Sequence, residues 1–309
     1  MMEREQNMNQ KPSLKIRIAK IIARMVPLCF RRFAATRLAA VGFQASLKHR
    51  LIAFHNLMRA FPEKTTEEIV AIAKASYQSF SLVFAEFPEI IHLNKDNLDR
   101  WVSVTGLEHY EAALREGRGV LLITAHFGNW EFGCAALAIL SRPPIFMARV
   151  LDSDFLEEGS TYVRSLHGVG IIHKDKAMRP MLRLLKNGEA VKLLIDQNVA
   201  AYEGVFVNFF GRPACTTAGV ALMAMHSGAA VLPIFTTRMP DGRYLTEIKP
   251  KVETVITGDR DRDVQINTQN YARILEDHIR KYPDQWLWVH QRWKTKRCQI
   301  PPNRTDPSC

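Results

Sequence analysis

Residues 119–140 read GVLLITAHFGNWEFGCAALAIL. The first six, GVLLIT, form a short apolar run suited to a fully buried strand, and from about 129 to 140 the apolar residues recur at helical spacing. Gly128 between them fits a tight turn. The same alternation continues downstream. Apolar runs at 144–148 (PIFMA), 191–195 (VKLLI) and 230–235 (AVLPIF) alternate with predicted helices near 154–168, 177–187 and 217–227. Strands alternating with helices make βαβ units, so the expected fold is α/β, a mainly parallel central sheet flanked by helices. Upstream, 64–93 has helical spacing with a start at Thr65 or Thr66 and two glutamates in the first turn. Downstream, 244–257 reads as one or two edge strands broken at Pro250, and 264–281 as a closing helix. The expected organisation is an N-terminal helical segment (1–60), one α/β domain (61–300) and a tail (301–309).

The 309 residues carry a net charge of +11 with a pI of about 9.5, which calls for an anionic partner. Residues 1–50 hold eleven Lys or Arg against Glu3 and Glu5, and so supply +9 of the +11. Within that stretch Ile18, Ile21, Ile22, Met25 and Val26 recur at intervals of one, three or four, with Arg17, Lys20 and Arg24 on a different face. This pattern predicts a basic amphipathic helix lying on an anionic membrane surface; the plainer alternative is a helix docked on the domain with a solvated charged face. Lys20, Arg24 and Pro27 make it a poor bilayer span, and no cleavable signal peptide is expected. Five cysteines, at 29, 134, 215, 298 and 309, form no CxxC pair, so a reducing, cytoplasmic setting and no structural metal are expected.

Ligands of parallel sheets bind beyond the carboxyl ends of the strands. There the chain places His126 after the first run, Arg149 after the second, and Asp196 and Gln197 after the third. Within HFGNWE (126–131), Glu131 would sit in the first helical turn after Asn129. From there it is expected to accept a hydrogen bond from one imidazole nitrogen of His126 and leave the other as a general base. Such a pair lacks a nucleophile of its own, which would have to come from the substrate. A loop histidine beside a capping glutamate is the alternative. The helix N-terminus is expected to offer backbone N–H groups to an oxyanion or phosphate. Arg149 is read either as a partner for lipid phosphate or thioester carbonyl, or as a surface ion pair. Asp196 is read as a cap or, with Gln197, as a polar pocket wall. In GVFVNFFGRPA (204–214) the phenylalanines around Gly211 would line an acyl channel or simply fill the core, and Thr216 or Thr217 caps the next helix.

The C-terminal cluster of Trp286, Trp288, His290, Arg292, Trp293, Lys294, Lys296 and Arg297 suits a membrane interface or an acidic carrier protein, and no RNA-binding or helix-turn-helix signature accompanies it. Nucleic acid is therefore not expected as a partner. The chain has no Gly-x-Ser-x-Gly, Walker A, Gly-x-Gly-x-x-Gly or His-Glu-x-x-His motif, which removes serine hydrolase, NTPase, dinucleotide enzyme and zincin.

HFGNWE (126–131), LLIDQN (193–198), VFVNFFGRPACTTAG (205–219), AVLPIF (230–235) and QWLWVHQRWKTK (285–296), in that order, resemble the bacterial lipid A biosynthesis acyltransferases of the lauroyl and myristoyl transferase type. The resemblance spans roughly residues 15–297 and implies a glycerolipid acyltransferase-like fold. It further implies a place on the cytoplasmic face of the inner membrane, acyl carrier protein thioesters as donors, a glycolipid hydroxyl as acceptor, and no cofactor beyond the thioester co-substrate. In the wider superfamily His126 and Glu131 match the catalytic His-x4-acid motif, Arg149 the arginine after the second strand, Asp196 the third motif and Pro233 the fourth. Asn129, Arg149, Asp196, Gln197 and Gly211 are the candidate substrate contacts. The segment ARVLDSDF (148–155) departs from the family's Arg followed by Pro and Asn. Acyl-CoA as donor, another membrane lipid as acceptor, and a non-catalytic membrane-binding protein stay open as alternatives.

Overall fold

The computed structural model of the chain describes residues 12–174 and 177–296. Among the described residues four helices come first: α1 (Leu14–Met25), α2 (Leu28–Ala45), α3 (Leu47–Ala60) and α4 (Thr66–Glu86). Thr65 starts α4 with a capping box, its hydroxyl accepting from the Glu68 amide while the Glu68 carboxylate accepts from the Thr65 amide. The α/β part then runs β1 (Val102–Thr105), α5 (Leu107–Arg115), β2 (Val120–Thr124), α6 (Trp130–Leu140), β3 (Ile145–Ala148), α7 (Asp154–Ser165), β4 (Gly170–His173), α8 (Met178–Lys186) and β5 (Ala190–Leu194). It continues through β6 (Gly204–Phe209), β7 (Arg212–Thr217), α9 (Gly219–Ser227), β8 (Ala230–Arg238), β9 (Tyr244–Ile248) and α10 (Arg260–Lys281).

Seven strands form one sheet in the order β1-β9-β8-β2-β5-β3-β4; β8, β2, β5, β3 and β4 run parallel, while β9 is antiparallel to β8. All five residues of β2 are buried, as a central strand covered on both faces requires. The apolar runs of the sequence become β2, β3, β5 and β8. β9 corrects the expected edge strand, because β1 pairs with it in parallel and takes the outer position. The four-residue strands β1 and β4 and the hairpin β6–β7 carry too little periodicity to stand out in the sequence. That hairpin is a separate two-stranded sheet, turned by Phe210 and Gly211 at φ +53° and +72°. Two positive φ values suit the primed turns that match strand twist. Helices α2 and α3 add Phe43, Ala53, Leu57 and Ala60 to the main core, beside Phe61, Phe210 and Trp288.

A buried carboxylate joins this helical layer to the sheet. Glu86, at the end of α4, is fully buried, and it receives Arg32 from α2 at 2.7 Å, Arg238 from β8 at 2.6 Å and the Tyr244 hydroxyl from β9. Removing one partner of such a group leaves buried charge uncompensated. Glu86→Ala is expected to cost about 3–5 kcal/mol, read as a lowered denaturation midpoint with unchanged far-UV dichroism in the native state.

Candidate active site

Strand register builds the site. Thr124 of β2 lies beside Leu194 of β5, and the Ile195 amide donates to the Thr124 carbonyl at 3.0 Å. Two residues beyond each strand end, His126 and Asp196 therefore stand abreast at the carboxyl edge of the sheet. His126 Nδ1 lies 2.9 Å from Asp196 Oδ1, and the His126 backbone N–H donates to Oδ2 at 3.0 Å. The carboxylate is almost wholly buried, whereas the imidazole keeps 23% of its side-chain surface exposed. With Nδ1–H held by the carboxylate, Nε2 is the free nitrogen, and the Gln197 side-chain amide lies 3.4 Å from it. Trp130 packs edge-on to the imidazole, ring centroids 5.5 Å apart.

The loop carrying His126 is rigid by construction. Gly128 sits at φ +52°, and a Cβ there would lie 1.9 Å from the Thr236 carbonyl oxygen, so no other residue fits. The Gly128 amide donates to the Gln285 carbonyl at 2.9 Å and the Asn129 amide to the Thr236 carbonyl at 3.1 Å. These two N–H groups hold the loop instead of facing a substrate. Asn129 is buried and caps α6, accepting from the Phe132 amide at 3.3 Å.

Glu131 does not reach His126. One residue on from Trp130, about 100° further around the helix, its side chain points away from the imidazole. There it meets Arg164 of α7 in a bidentate pair at 2.6 and 3.0 Å and accepts the Trp130 indole N–H at 2.9 Å. Burial pushes this carboxyl up, but the charges of Arg164 and Lys192 outweigh it, so its pKa lies below the ordinary value. Lys192, also buried, donates to the Trp130 carbonyl at 2.8 Å. The contact expected of Glu131 is made by Asp196. Arg149 is exposed and pairs with Asp152 at 2.7 Å, the surface ion pair of its two readings. Gly211 turns a hairpin. Thr217 accepts from the Gly219 amide at 3.2 Å, but the residue preceding α9 is Ala218, and Thr216 lies within β7.

The tryptophans and Arg292 of the C-terminal cluster are buried, whereas Lys294 and Lys296 are exposed and His290 is half-buried. Trp286, Trp288, Arg292 and Trp293 are all at most 6% exposed; Cys298, Cys309 and Arg297 lie outside the described residues. The Trp286 indole donates to Asp196 Oδ2 at 2.8 Å and the Leu287 amide to the His126 carbonyl at 3.1 Å. His290 Nε2 accepts from the Asn198 amide at 2.9 Å. Spacing alone did not point to Trp286 or Arg164, which lie 90 and 33 residues from the carboxylates they bind.

With this geometry in view, the whole chain can be compared with known proteins. The family model of the bacterial lipid A biosynthesis acyltransferases matches residues 11–295. The chain belongs to that family. It is accordingly an acyltransferase. Lipid A biosynthesis palmitoleoyltransferase of Escherichia coli K12 is 27% identical over 266 residues, 85% of each chain. The lauroyltransferase of the same organism is 26% identical over 261 residues, 84% of this chain and 81% of its own. A phosphatidylinositol mannoside acyltransferase of Mycobacterium tuberculosis H37Rv is 27% identical over 240 residues, 73% of each. For an acyltransferase, an imidazole whose outer nitrogen is open and whose inner nitrogen rests on a buried carboxylate is a suitable general base.

The site also sets how the enzyme responds to acid. Burial pushes the Asp196 carboxyl up, but the charge His126 can carry and the hydrogen bonds from His126 and Trp286 outweigh it and hold the pKa at about 2. A depressed carboxyl stabilises the fold above its ordinary value of 3.8, and this contribution is lost as pH falls from there towards about 2. His278 and His290 are pushed down by burial to about 4 from 6.5, so their contribution is present above pH 6.5 and lost between 6.5 and about 4. Both signs agree. Urea denaturation is expected to show a lower midpoint at about pH 5 than at about pH 7.5, and His278→Gln should reduce the difference. Glu131→Ala, which strands Arg164, is expected to destabilise by about 3–5 kcal/mol, measured by the same titration.

Proposed function

We propose that the enzyme moves a fatty acyl group from an acyl carrier protein thioester to a hydroxyl of a lipid A precursor or a related glycolipid. The observation that carries this reading is the buried Asp196 carboxylate on Nδ1 of His126, which leaves Nε2 free to work as a base. In the proposed step Nε2 takes the proton of the acceptor hydroxyl as its oxygen attacks the thioester carbonyl carbon. The C–S bond then breaks, the imidazolium returns the proton to the departing thiolate, and the products are an ester and a free thiol. Asp196 keeps Nδ1 protonated and stabilises the transient imidazolium, the role of the buried aspartate in a serine protease triad. Glu131 acts at one remove, fixing Trp130 and the start of α6 beneath the imidazole. Gln197 is the proposed polar contact for the reacting groups.

The acceptor class follows the family and the names of its relatives. The mannoside acyltransferase relative keeps a second acceptor in view, a mannolipid. We place the enzyme on the cytoplasmic face of the inner membrane, seated through its first helices. Leu14, Ile18, Ile21, Ile22 and Met25 of α1 are exposed, as are Phe30, Phe33, Leu38 and Val41 of α2, and Lys15, Arg17, Lys20 and Arg24 lie among them. No described helix is long and apolar enough to cross a membrane.

Detergent-purified protein is expected to move labelled acyl groups from the carrier thioester to a phosphorylated disaccharide lipid. His126→Ala and Asp196→Asn should each slow transfer on the order of 10²–10⁴-fold while keeping native far-UV dichroism at the assay temperature. Undiminished transfer without His126 would sink the mechanism. Parallel assays with a mannolipid acceptor and an acyl-CoA donor decide between acceptors and between donors.

A further inference from the structure

The C-terminal cluster of aromatic and basic residues is left over from the sequence: its Lys294 and Lys296 are exposed, but its tryptophans and Arg292 face inward. Residues 285–296 run as a strap against the two loops of the site. The strap takes the Gly128 amide on the Gln285 carbonyl, bridges Phe127 to Trp286 and receives the His126 carbonyl on the Leu287 amide. Further along, Asn198 and Thr295 exchange hydrogen bonds at 2.9 and 3.2 Å, and Arg292 donates to the Cys215 carbonyl at 2.8 Å and to the Thr216 hydroxyl.

Only one side chain of the strap is hydrogen-bonded to the reactive pair among the contacts described. Trp286 is 2% exposed, wedged edge-on between Phe209 and Trp288 at centroid distances of 5.8 and 4.6 Å, with its N–H aimed at Asp196 Oδ2. Oδ2 thus accepts from Trp286 and from the His126 backbone, while Oδ1 faces the imidazole. Two donors on one oxygen fix the rotation of the carboxylate and draw negative charge away from the oxygen that holds Nδ1–H.

We propose that the Trp286 indole N–H sets how strongly Asp196 holds the imidazolium of His126, which makes Trp286 a positioning residue for acyl transfer. This rests on the His126–Asp196 reading above. The charged and titratable groups around the pair are His126 on the first loop, Asp196 on the second beside neutral Gln197, and His290, Arg292 and Lys294 on the strap. Burial holds His290 at about 4 and brings Arg292 down to about 10, so neither changes its charge near neutral pH. Without the indole donor the carboxylate grips the imidazolium harder. The base then loses its proton only at higher pH, and the proton is returned to the leaving thiolate more slowly.

Trp286 is to be replaced in the full-length protein by its benzothienyl analogue, which exchanges the ring N–H for sulfur at nearly constant shape, and separately by Phe. The same replacements at Trp288, whose indole donates to the Pro283 carbonyl and not to the carboxylate, serve as the packing control. At position 286 we expect kcat to fall on the order of tenfold and the acid limb of the kcat/KM profile to move to higher pH; at 288 the limb stays in place. A second reading needs no acyl substrate. The ¹⁵N-indole resonance of Trp286, identified by its loss in Trp286→Phe, should titrate with pH in wild type and stop doing so in His126→Gln. A flat resonance, or an unmoved limb in the benzothienyl protein, overturns the proposal. A titrating resonance in a protein that transfers no acyl group upholds the coupling and overturns the acyl-transfer reading instead.

Discussion

A carboxylate buried to 3% exposure is tolerated only where donors surround it, and at Asp196 that requirement organises the molecule around it. Three N–H groups reach it, two from His126 and one from Trp286. They belong to a loop after β2 and to a strap some 160 residues later, both brought to a residue that follows β5. None of the three segments can shift by one position without leaving the charge unpaired. The strictness extends outward, since Gly128 can carry no side chain against Thr236 and the Trp286 ring is held between Phe209 and Trp288. The base we propose needs a fixed tautomer, and a buried carboxylate on Nδ1 favours one.

Two other buried carboxylates, Glu131 and Glu86, do different work. Glu131 and Glu86 each face arginine in a paired geometry, which cancels charge and ties elements together: α6 to α7 in the first case, the helical layer to the sheet in the second. Asp196 faces no arginine within hydrogen-bond reach. Its hydrogen-bonded counter-charge is the imidazole, present only when the imidazole is protonated, while Arg292 acts on it through space alone. A carboxylate already neutralised by a permanent cation could add little to a transient imidazolium, so the partner of each carboxylate tells its role better than its distance along the chain from the histidine.

The legible part of the structure was the part built from local periodicity. The runs at 119–124, 144–148, 191–195 and 230–235 and the helices between them could be read because buried strands and covering helices differ in period. Strand order was hidden, because β5 inserts between β2 and β3 although β3 comes next in the chain, and no local pattern encodes that neighbour. His126 and Asp196 were both placed at the carboxyl edge, but their pairing depends on this insertion, and so Glu131, five residues from His126, seemed the nearer candidate. The tryptophans of the strap misled for a related reason: basic and aromatic residues in one segment suggest a surface until the partners of each ring and guanidinium are known. Arg149 went the other way, a strand-end cation whose side chain turns to solvent.

Placement of His126 on the sheet edge bears on how two amphiphiles could meet there. His126 lies in a site whose floor is buried charge and whose rim includes Trp130, stacked at 6.0 Å on Phe80, which in turn meets the exposed Phe84 at 5.1 Å. On another side α1 is fastened to α7 through Ser13 and Glu158, and the exposed Val150, Leu151, Phe155 and Leu156 precede or open that same helix. Exposed apolar residues therefore stand both on the first helices and on the segment that follows β3 at the carboxyl edge. A soluble substrate would gain nothing from that placement. For a lipid hydroxyl it removes the need to draw the chains into water before the head group reaches Nε2, so the exposed apolar residues and the buried carboxylate answer the same physical problem from opposite sides of the imidazole.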